Sequence, residues 1–327
     1  MCAQAMRAIC VSQFGGPEVL KLLTNAIVPT AGKRQVLIKL SAASVSPVET
    51  YIRSGSYARL PELPFTPGNY GAGIIHAIGD EVTKHKVGDH VYTLSTLTGS
   101  YAEYTVCEED NVFLLHSSLG FSEGANVGIT YFTAYRALCH RLGAKPGETV
   151  LVHGASGGVG TAAVQIARAY GMHVIGTAGS SKGEELVRQA GAHHVFNHRE
   201  LNYTQGILEA TDGQGPDVIL EMLANVNLAK DLDLVSNGGR IGVIGSRGSI
   251  EINPRLTMAK ECSIVGVMLL KVNKDELKEM SAAMHAGMEA GWLRPFVGRE
   301  YSLERAPEAH KEIIETKSAQ GNLVLTM

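Results

Sequence analysis

The chain has 327 residues, enough for two domains, and its 45% hydrophobic and 19% charged residues are an ordinary globular balance. A formal net charge of −3 supplies no basic field, so composition points to neither nucleic acid nor an anionic membrane as partner. No apolar run approaches the roughly 20 residues of a membrane span, and the opening MCAQAMR lacks a secretory apolar core, so a cytoplasmic protein is expected. The five cysteines, Cys2, Cys10, Cys107, Cys139 and Cys262, are odd in number and form no CxxC pair, which reads as reduced thiols.

Residues 7–115 carry short apolar runs at 36–40, 73–78, 90–94 and 101–106, cut by Gly, Pro and Asp, and predict a β-rich barrel. From residue 149 the pattern changes. Strand-like runs at 149–153, 173–177, 194–197, 217–222, 240–244 and 263–269 alternate with helical stretches or loops, which predicts an α/β fold with a doubly wound, parallel six-stranded sheet. The tail returns to a helix at 274–290 and ends in NLVLTM, short pieces expected to rejoin the barrel.

The junction VLVHGASGGVG at 150–160 fuses an apolar strand to a glycine-rich turn that opens a helix. A dinucleotide pyrophosphate needs this arrangement: a sharp turn, close backbone approach and free helix N-terminal amides aimed at negative charge. Ala155-x-Gly157-x-x-Gly160 supplies it, with Ala in place of the usual first Gly. Val159, Ala163, Ile166, Ala167 and Tyr170 then recur at helical spacing, and Gly171 stands where a left-handed residue stops the helix. An NAD site places an acid about 20 residues beyond the turn. Here that place is Thr177, and residues 176–183, GTAGSSKG, hold no acid, so a 2′-phosphate meets no repulsion while Ser180, Ser181 and Lys182 can attract it. The expected cofactor is NADP(H), held at the sheet's C-terminal edge where it would face a cleft between domains.

The blocks MRAICVSQFGGPEVL, SPVETYIRSGSY, PFTPGNYGAGII, VGITYFTAYRAL, VLVHGASGGVG, VFNHRE, EMLANVNLAKDL and GSRGSIEINPR run from about residue 6 to the C-terminus. Together they resemble the zinc-free quinone oxidoreductase branch of the medium-chain dehydrogenase/reductase superfamily, and within it the zeta-crystallin group. The resemblance implies a GroES-like catalytic domain at 1–123 and 270–327 and a Rossmann NADPH-binding domain at 124–269. It implies that Ser156, Gly157, Gly158 and Val159 line the pyrophosphate, and that Gly179 and His198 flank the adenosine ribose with Arg199 as a nearby cation. Asn227, Ile244, Gly245, Ser246, Arg247, Val267, Met268 and Leu269 would reach the nicotinamide half. Lys182 remains the candidate for the 2′-phosphate. Tyr51 and Ser46 are the implied catalytic residues, Tyr51 also touching the nicotinamide; Ser46 stands where relatives commonly carry Asn. Arg53, Tyr57 and Tyr131 are candidates to shape the acceptor pocket.

Zinc alcohol dehydrogenases of this superfamily place zinc ligands where this chain has Ser46, Asn69 and Ile129, and they carry a four-cysteine lobe missing here. His193, His194 and His198 have no carboxylate or thiol cluster beside them in sequence, so no metal is expected. Without a Lewis acid to lower a hydroxyl pKa, an electrophilic acceptor suits the site better than an alcohol. The resemblance therefore implies a zinc-independent NADPH:quinone oxidoreductase, associated with one-electron reduction of ortho-quinones to semiquinones. Two alternatives stay open: an NADPH-dependent alkenal or enone reductase, and a zeta-crystallin-like structural or single-stranded RNA-binding protein. For the latter the basic runs are only Lys33-Arg34, Lys84-His85-Lys86 and His198-Arg199. The apolar edge strand at 263–269 is expected to be covered or paired, and the resemblance implies that it pairs in a homodimer or homotetramer.

Overall fold

The computed structural model describes residues 4–316 and 319–327, which leaves Cys2 outside the described residues. Two compact units emerge: residues 4–129 with 295–316 and 322–327, and residues 130–294 with 319–321.

In the first unit the eleven-residue strand Gln35–Val45 is the hub of a seven-stranded sheet. It pairs antiparallel with Gly71–Ile78, with Tyr104–Glu108 and with the C-terminal strand Asn322–Thr326. Alternation drives Val36, Ile38 and Leu40 to one side, where they meet Ile75, Val91 and Cys107 in a closed core. A second core joins Ile9, Val45, Tyr101, Leu303 and Leu325, so the chain's end is part of the barrel's interior. The run expected at 101–106 forms its strand at Tyr104–Glu108 instead. Tyr101 and Ala102 are taken by the N-terminal strand, through Ile9 N–H to the Tyr101 carbonyl at 2.8 Å and a bridge from Ala8 to Ala102.

The second unit is a six-stranded parallel sheet in the order His194–Asn197, His173–Ala178, Thr149–Val152, Val218–Glu221, Arg240–Val243, Ser263–Gly266. Helices cover both faces, so Val150, Leu151, Val152, Val174, Ile175, Val218, Ile219 and Leu220 are buried as nearly continuous apolar runs. The order reverses direction between the strands Thr149–Val152 and Val218–Glu221, which is where a doubly wound sheet opens a ligand crevice. The glycine-rich turn follows the first of these strands and leads into helix Gly158–Ala169. Gly171, at φ 79°, ends that helix as its spacing predicted.

Two expectations about the tail change. The last sheet strand stops at Gly266 rather than 269, because the Arg136 guanidinium takes the carbonyls of Met268 at 3.2 Å and Lys271 at 3.3 Å and draws the chain off the ladder. Residues 270–294 belong to the nucleotide unit, not the barrel. Helix Lys274–Glu289 is tied there by Arg136 to Glu276 and by the Tyr135 hydroxyl to Glu279 at 2.9 Å. No helix among the described residues is long and apolar enough to cross a membrane.

Close packing at the turn makes a direct test. A Cβ at Gly160 would lie 2.4 Å from the Gly154 carbonyl oxygen and 2.6 Å from Ala155 Cα, both backbone atoms, whereas one at Gly266 would meet nothing within 4 Å. Gly160→Ala is expected to lower the unfolding free energy by about 2–3 kcal/mol, and Gly266→Ala to change it by less than about 0.5 kcal/mol, both read from urea denaturation.

Candidate active site

The turn is sharper than its sequence motif suggested. Gly154, not among the predicted residues, takes φ 58° and does the work that Ala155 cannot. Its N–H donates to Thr177 Oγ1 at 3.3 Å, and the Ala155 N–H to the Thr177 carbonyl at 2.8 Å, so the turn is clamped to the neighbouring strand. Gly157 is the extended N-cap of the helix, and the amides of Gly158, Val159 and Gly160 open its first turn, where a helix has no acceptor for them. The Ser156 carbonyl accepts the Gly321 N–H at 2.7 Å, which fixes the turn from its other side.

Beyond the next strand, Gly179, His198 and Arg199 converge: a Cβ at Gly179 would lie 2.7 Å from His198 Nε2 and 3.2 Å from Arg199 Nε. Burial first, then the charges of His153, Arg199 and Lys230, holds His198 below the ordinary histidine value. Ser180 caps helix Ser181–Ala190 by accepting the Gly183 N–H at 3.2 Å, and Lys182 is exposed in that helix's first turn. The first acid after the strand, Glu184, is occupied by Arg188 at 3.2 Å and Asn197 at 3.0 Å.

The candidates for the nicotinamide half lie on the ends of the next strands. Ile244 and Gly245 donate their N–H groups to the Glu221 carbonyl at 2.9 and 3.3 Å, and a Cβ at Gly245 would lie 2.4 Å from the Met222 carbonyl. Asn227 Nδ2 donates to Glu221 Oε1 at 3.2 Å, the Arg247 N–H to Asn225 Oδ1 at 2.8 Å, and Ser246 Oγ to the Gly248 carbonyl at 2.9 Å. Val267, the first residue past the strand, donates its N–H to the Val243 carbonyl at 3.0 Å. Met268 is exposed, whereas Leu269 turns inward.

In the barrel unit, Ser46 is the N-cap of helix Pro47–Ser54, which carries Tyr51. Glu49, three residues on, gathers this corner: its carboxylate accepts from the Ser46 N–H at 3.1 Å, the Asn69 N–H at 3.3 Å and the Tyr101 hydroxyl at 2.7 Å. Tyr101 Oη is 2.9 Å from His310 Nε2, and His310 Nδ1 is 3.3 Å from Arg53 Nη1. Arg53 can only donate and an ionised Glu49 only accept, so the chain of hydrogens runs one way, from Arg53 through neutral His310 and Tyr101 to Glu49. Burial pushes Glu49 up to about 7 against its hydrogen bonds, while burial and the Arg53 charge push His310 down to about 3. The Ser46 hydroxyl is buried and completes no hydrogen bond. Tyr51 is half-buried.

Arg53 and Tyr131, expected at the acceptor pocket, are instead spent inside: Arg53 on His310 and the Gly15 carbonyl, Tyr131 on Gln165 Oε1 at 2.7 Å. Tyr57 and Ile129 are half-buried. His193 stacks on His173 at 4.0 Å and accepts the Val174 N–H. Two concavities of about 250 and 390 Å³ lie on the barrel, the first beside Ile74 and His76 and the second beside Glu103 and Tyr104, away from every candidate. Sequence reasoning missed Glu49, Tyr101 and His310, and also a buried cluster of His153, Glu221 and Asp231. The one available signal was Glu49 at the N3 position after a Ser-Pro helix start, the pattern of a capping box.

The two units match two family models: residues 32–117 the alcohol dehydrogenase GroES-like domain, and residues 158–286 the zinc-binding dehydrogenase model. That pairing defines the medium-chain dehydrogenase/reductase superfamily. The human protein named quinone oxidoreductase is 56% identical over 322 residues, 98% of either chain, and its rat counterpart is 54% identical over the same shares. Among solved structures, a quinone oxidoreductase of Pseudomonas syringae matches with a TM-score of 0.88 at 29% identity, over 98% of this chain and 100% of that one. A mycobacterial protein complexed with NADPH matches with a TM-score of 0.89 at 28% identity, over 99% and 100%. The chain belongs to the quinone oxidoreductase family of this superfamily.

The Glu49–His310 pair has a pH signature with opposing signs. Glu49, raised above its ordinary 4.5, keeps a proton in the folded state that the unfolded chain has lost, so its contribution to stability falls as pH rises from 4.5 to about 7. His310, depressed from 6.5, contributes stability that is present above 6.5 and is lost as pH falls toward about 3. Each slope is about 1.4 kcal/mol per pH unit, and between pH 4.5 and 6.5 the two cancel. Replacing Glu49→Gln removes one of them. Urea denaturation should then show the variant gaining roughly 2–3 kcal/mol relative to the unsubstituted protein between pH 4.5 and 6.5; a pH-independent difference would contradict the assignment.

Proposed function

We propose that the protein is a cytoplasmic, zinc-independent NADPH:quinone oxidoreductase whose favoured acceptors are ortho-quinones, reduced one electron at a time. The observation that carries it is the adenosine end of the glycine turn, where His198 and Arg199 close on Gly179 and the strand end bears no acid. The quinone oxidoreductase names of the relatives and the NADPH of the mycobacterial neighbour support the same reading.

The residues fit the cofactor. Gly158 and Val159 offer first-turn amides to a pyrophosphate, with Ser156 and Gly157 beside them, the Gly157 N–H being held by the Gly154 carbonyl at 3.0 Å. Ser180, Lys182, His198 and Arg199 offer donors and positive charge to a 2′-phosphate. Asn227, Ile244 to Arg247 and Val267 to Leu269 present mostly backbone to the nicotinamide half. When bound, NADPH supplies the reducing electrons. Tyr51 offers a ring face and a hydroxyl donor to a quinone carbonyl, and the buried Ser46 hydroxyl offers a second. Holding a planar acceptor in contact and dry accounts for the rate, with no proton needed before electron transfer. The zinc positions of related dehydrogenases carry Ser46, Asn69 and Ile129, a donor set unsuited to tetrahedral zinc.

Turnover is the test, using 9,10-phenanthrenequinone, NADPH or NADH, and a zinc chelator. Chelator-insensitive, NADPH-selective reduction with a radical product in electron paramagnetic resonance is expected. A diamagnetic hydroquinone as first product would replace the one-electron route with hydride transfer, and faster turnover of an enone would replace the acceptor class. Lys182→Ala should cut the preference for NADPH over NADH roughly 2–5-fold. Tyr51→Phe should lower kcat about tenfold, the worth of one hydrogen bond, with little change in the KM for NADPH.

Assembly belongs to the same proposal. Strand Ser263–Gly266 is the sheet's edge, and Ile264, Met268 and Leu270 beside it are 37%, 44% and 62% exposed. A homodimer or homotetramer covering this edge is expected from light scattering at micromolar concentration, and a monomer would contradict it.

A further inference from the structure

Beneath the glycine turn, three titratable side chains from three elements meet in a closed interior. His153 follows the strand Thr149–Val152, Glu221 ends the adjacent strand, and Asp231 rises from helix Ala224–Leu234. They are 3%, 0% and 0% exposed. His153 Nε2 is 2.8 Å from Asp231 Oδ1 and 3.9 Å from Glu221 Oε2. Its Nδ1 is 3.3 Å from Thr177 Oγ1, the oxygen that also accepts the Gly154 N–H of the turn. Glu221 Oε1 accepts from the Leu223 N–H and from Asn227. That leaves two buried oxygens, Glu221 Oε2 and Asp231 Oδ2, without a hydrogen-bond partner.

Two acceptors left unpartnered in a dry interior call for a proton or a cation between them. Tetrahedral zinc ligands at 2.0–2.1 Å from the ion stand about 3.3 Å apart, and the 2.8 Å between His153 and Asp231 is instead a charge-assisted hydrogen bond. A shared proton needs no such spacing, and ligand atoms of the three side chains lie within 4.8 Å of one another. We propose that Glu221 and Asp231 share a single proton beside His153, and that cofactor binding on the turn above is linked to retention of that proton.

The surroundings support it. Burial, opposed by the His153 charge and helped by Asp231, pushes Glu221 up to about 7. Burial works against a charged His153, yet the Asp231 hydrogen bond and the charges of Asp231 and Glu221 carry it above the ordinary value. The other charged or titratable groups that act on the cluster are Lys230 on helix Ala224–Leu234, His198 on the loop after the strand His194–Asn197, and Tyr203 on helix Tyr203–Glu209. None of these three donates a hydrogen bond to the carboxylates. With the proton held, Asp231 and His153 balance and Glu221 is neutral. With it lost, a net negative charge sits under a turn that must receive an anionic cofactor. Cofactor binding just above neutral pH therefore draws a fraction of a proton from water onto the carboxyl pair, and the linkage is reciprocal.

The inference rests on the NADPH reading, and the test separates the two. The full chain is titrated with NADPH from pH 6 to pH 9 by calorimetry in buffers of different ionisation heat, alongside Glu221→Gln. The glutamine amide donates to Asp231 where the shared proton was, and its oxygen still accepts from Leu223 and Asn227. The unsubstituted protein should take up roughly 0.4 proton per cofactor near pH 7.5, and its Kd should weaken about fivefold more than the variant's between pH 6 and 9. Should the variant fail to fold, proton uptake by the unsubstituted protein decides alone. Equal pH dependence in both proteins, no uptake near pH 7.5, or stoichiometric metal bound at the cluster would overturn the inference and leave the cofactor assignment standing. No NADPH binding at any pH would overturn both.

Discussion

The second unit depends on one close approach: helix Gly158–Ala169 packs so near the end of strand Thr149–Val152 that Gly160 has no room for a Cβ against Gly154 and Ala155. Everything that makes the turn useful follows from it. The helix begins directly above the sheet's switch point, its first amides point outward, and Thr177 on the neighbouring strand locks the turn's other arm. Gly176 repeats the constraint one strand over, where a Cβ would lie 2.5 Å from Val187 and 3.0 Å from Ala155. Small residues here serve the binding of a phosphate and the packing of the core at once, so neither can be altered alone.

Each unit also buries a short polar chain behind its candidate site. In the barrel it runs Arg53, His310, Tyr101, Glu49 and ends at the amides of Ser46 and Asn69; in the nucleotide unit it runs Thr177, His153, Asp231, Glu221 and ends at Asn227. Buried groups of this kind are costly unless satisfied. Their placement makes sense as a way to fix loop ends that carry little apolar surface of their own. Ser46 and Asn69 are both anchored through backbone N–H groups to one carboxylate, so the corner is organised by Glu49.

Local signals made much of this legible from residues alone. The six nucleotide-unit strands could be read because a parallel strand buried on both faces is a plain apolar run, and Gly171 because helix ends favour a left-handed glycine. What stayed hidden is non-local. Arg136 shortens the edge strand from 132 residues away, His310 joins Arg53 across 257, and Asp231 reaches His153 across 78. The tail helix looked like the start of a return to the barrel, yet Glu276 and Glu279 bind it to residues 132–141. Gly154 has no signal of its own, because the fingerprint aligns on Ala155, one position past the residue that takes positive φ.

The central claim is that the turn and the acid-free strand end beyond it make an NADPH site. Its most direct test is a crystal structure of the chain with NADPH. The pyrophosphate should lie on the amides of Gly158 and Val159, and the 2′-phosphate within hydrogen-bond reach of at least one of Ser180, Lys182, His198 or Arg199. A pyrophosphate bound away from the turn, or a 2′-phosphate pointing into solvent with none of those four side chains near it, would contradict the account.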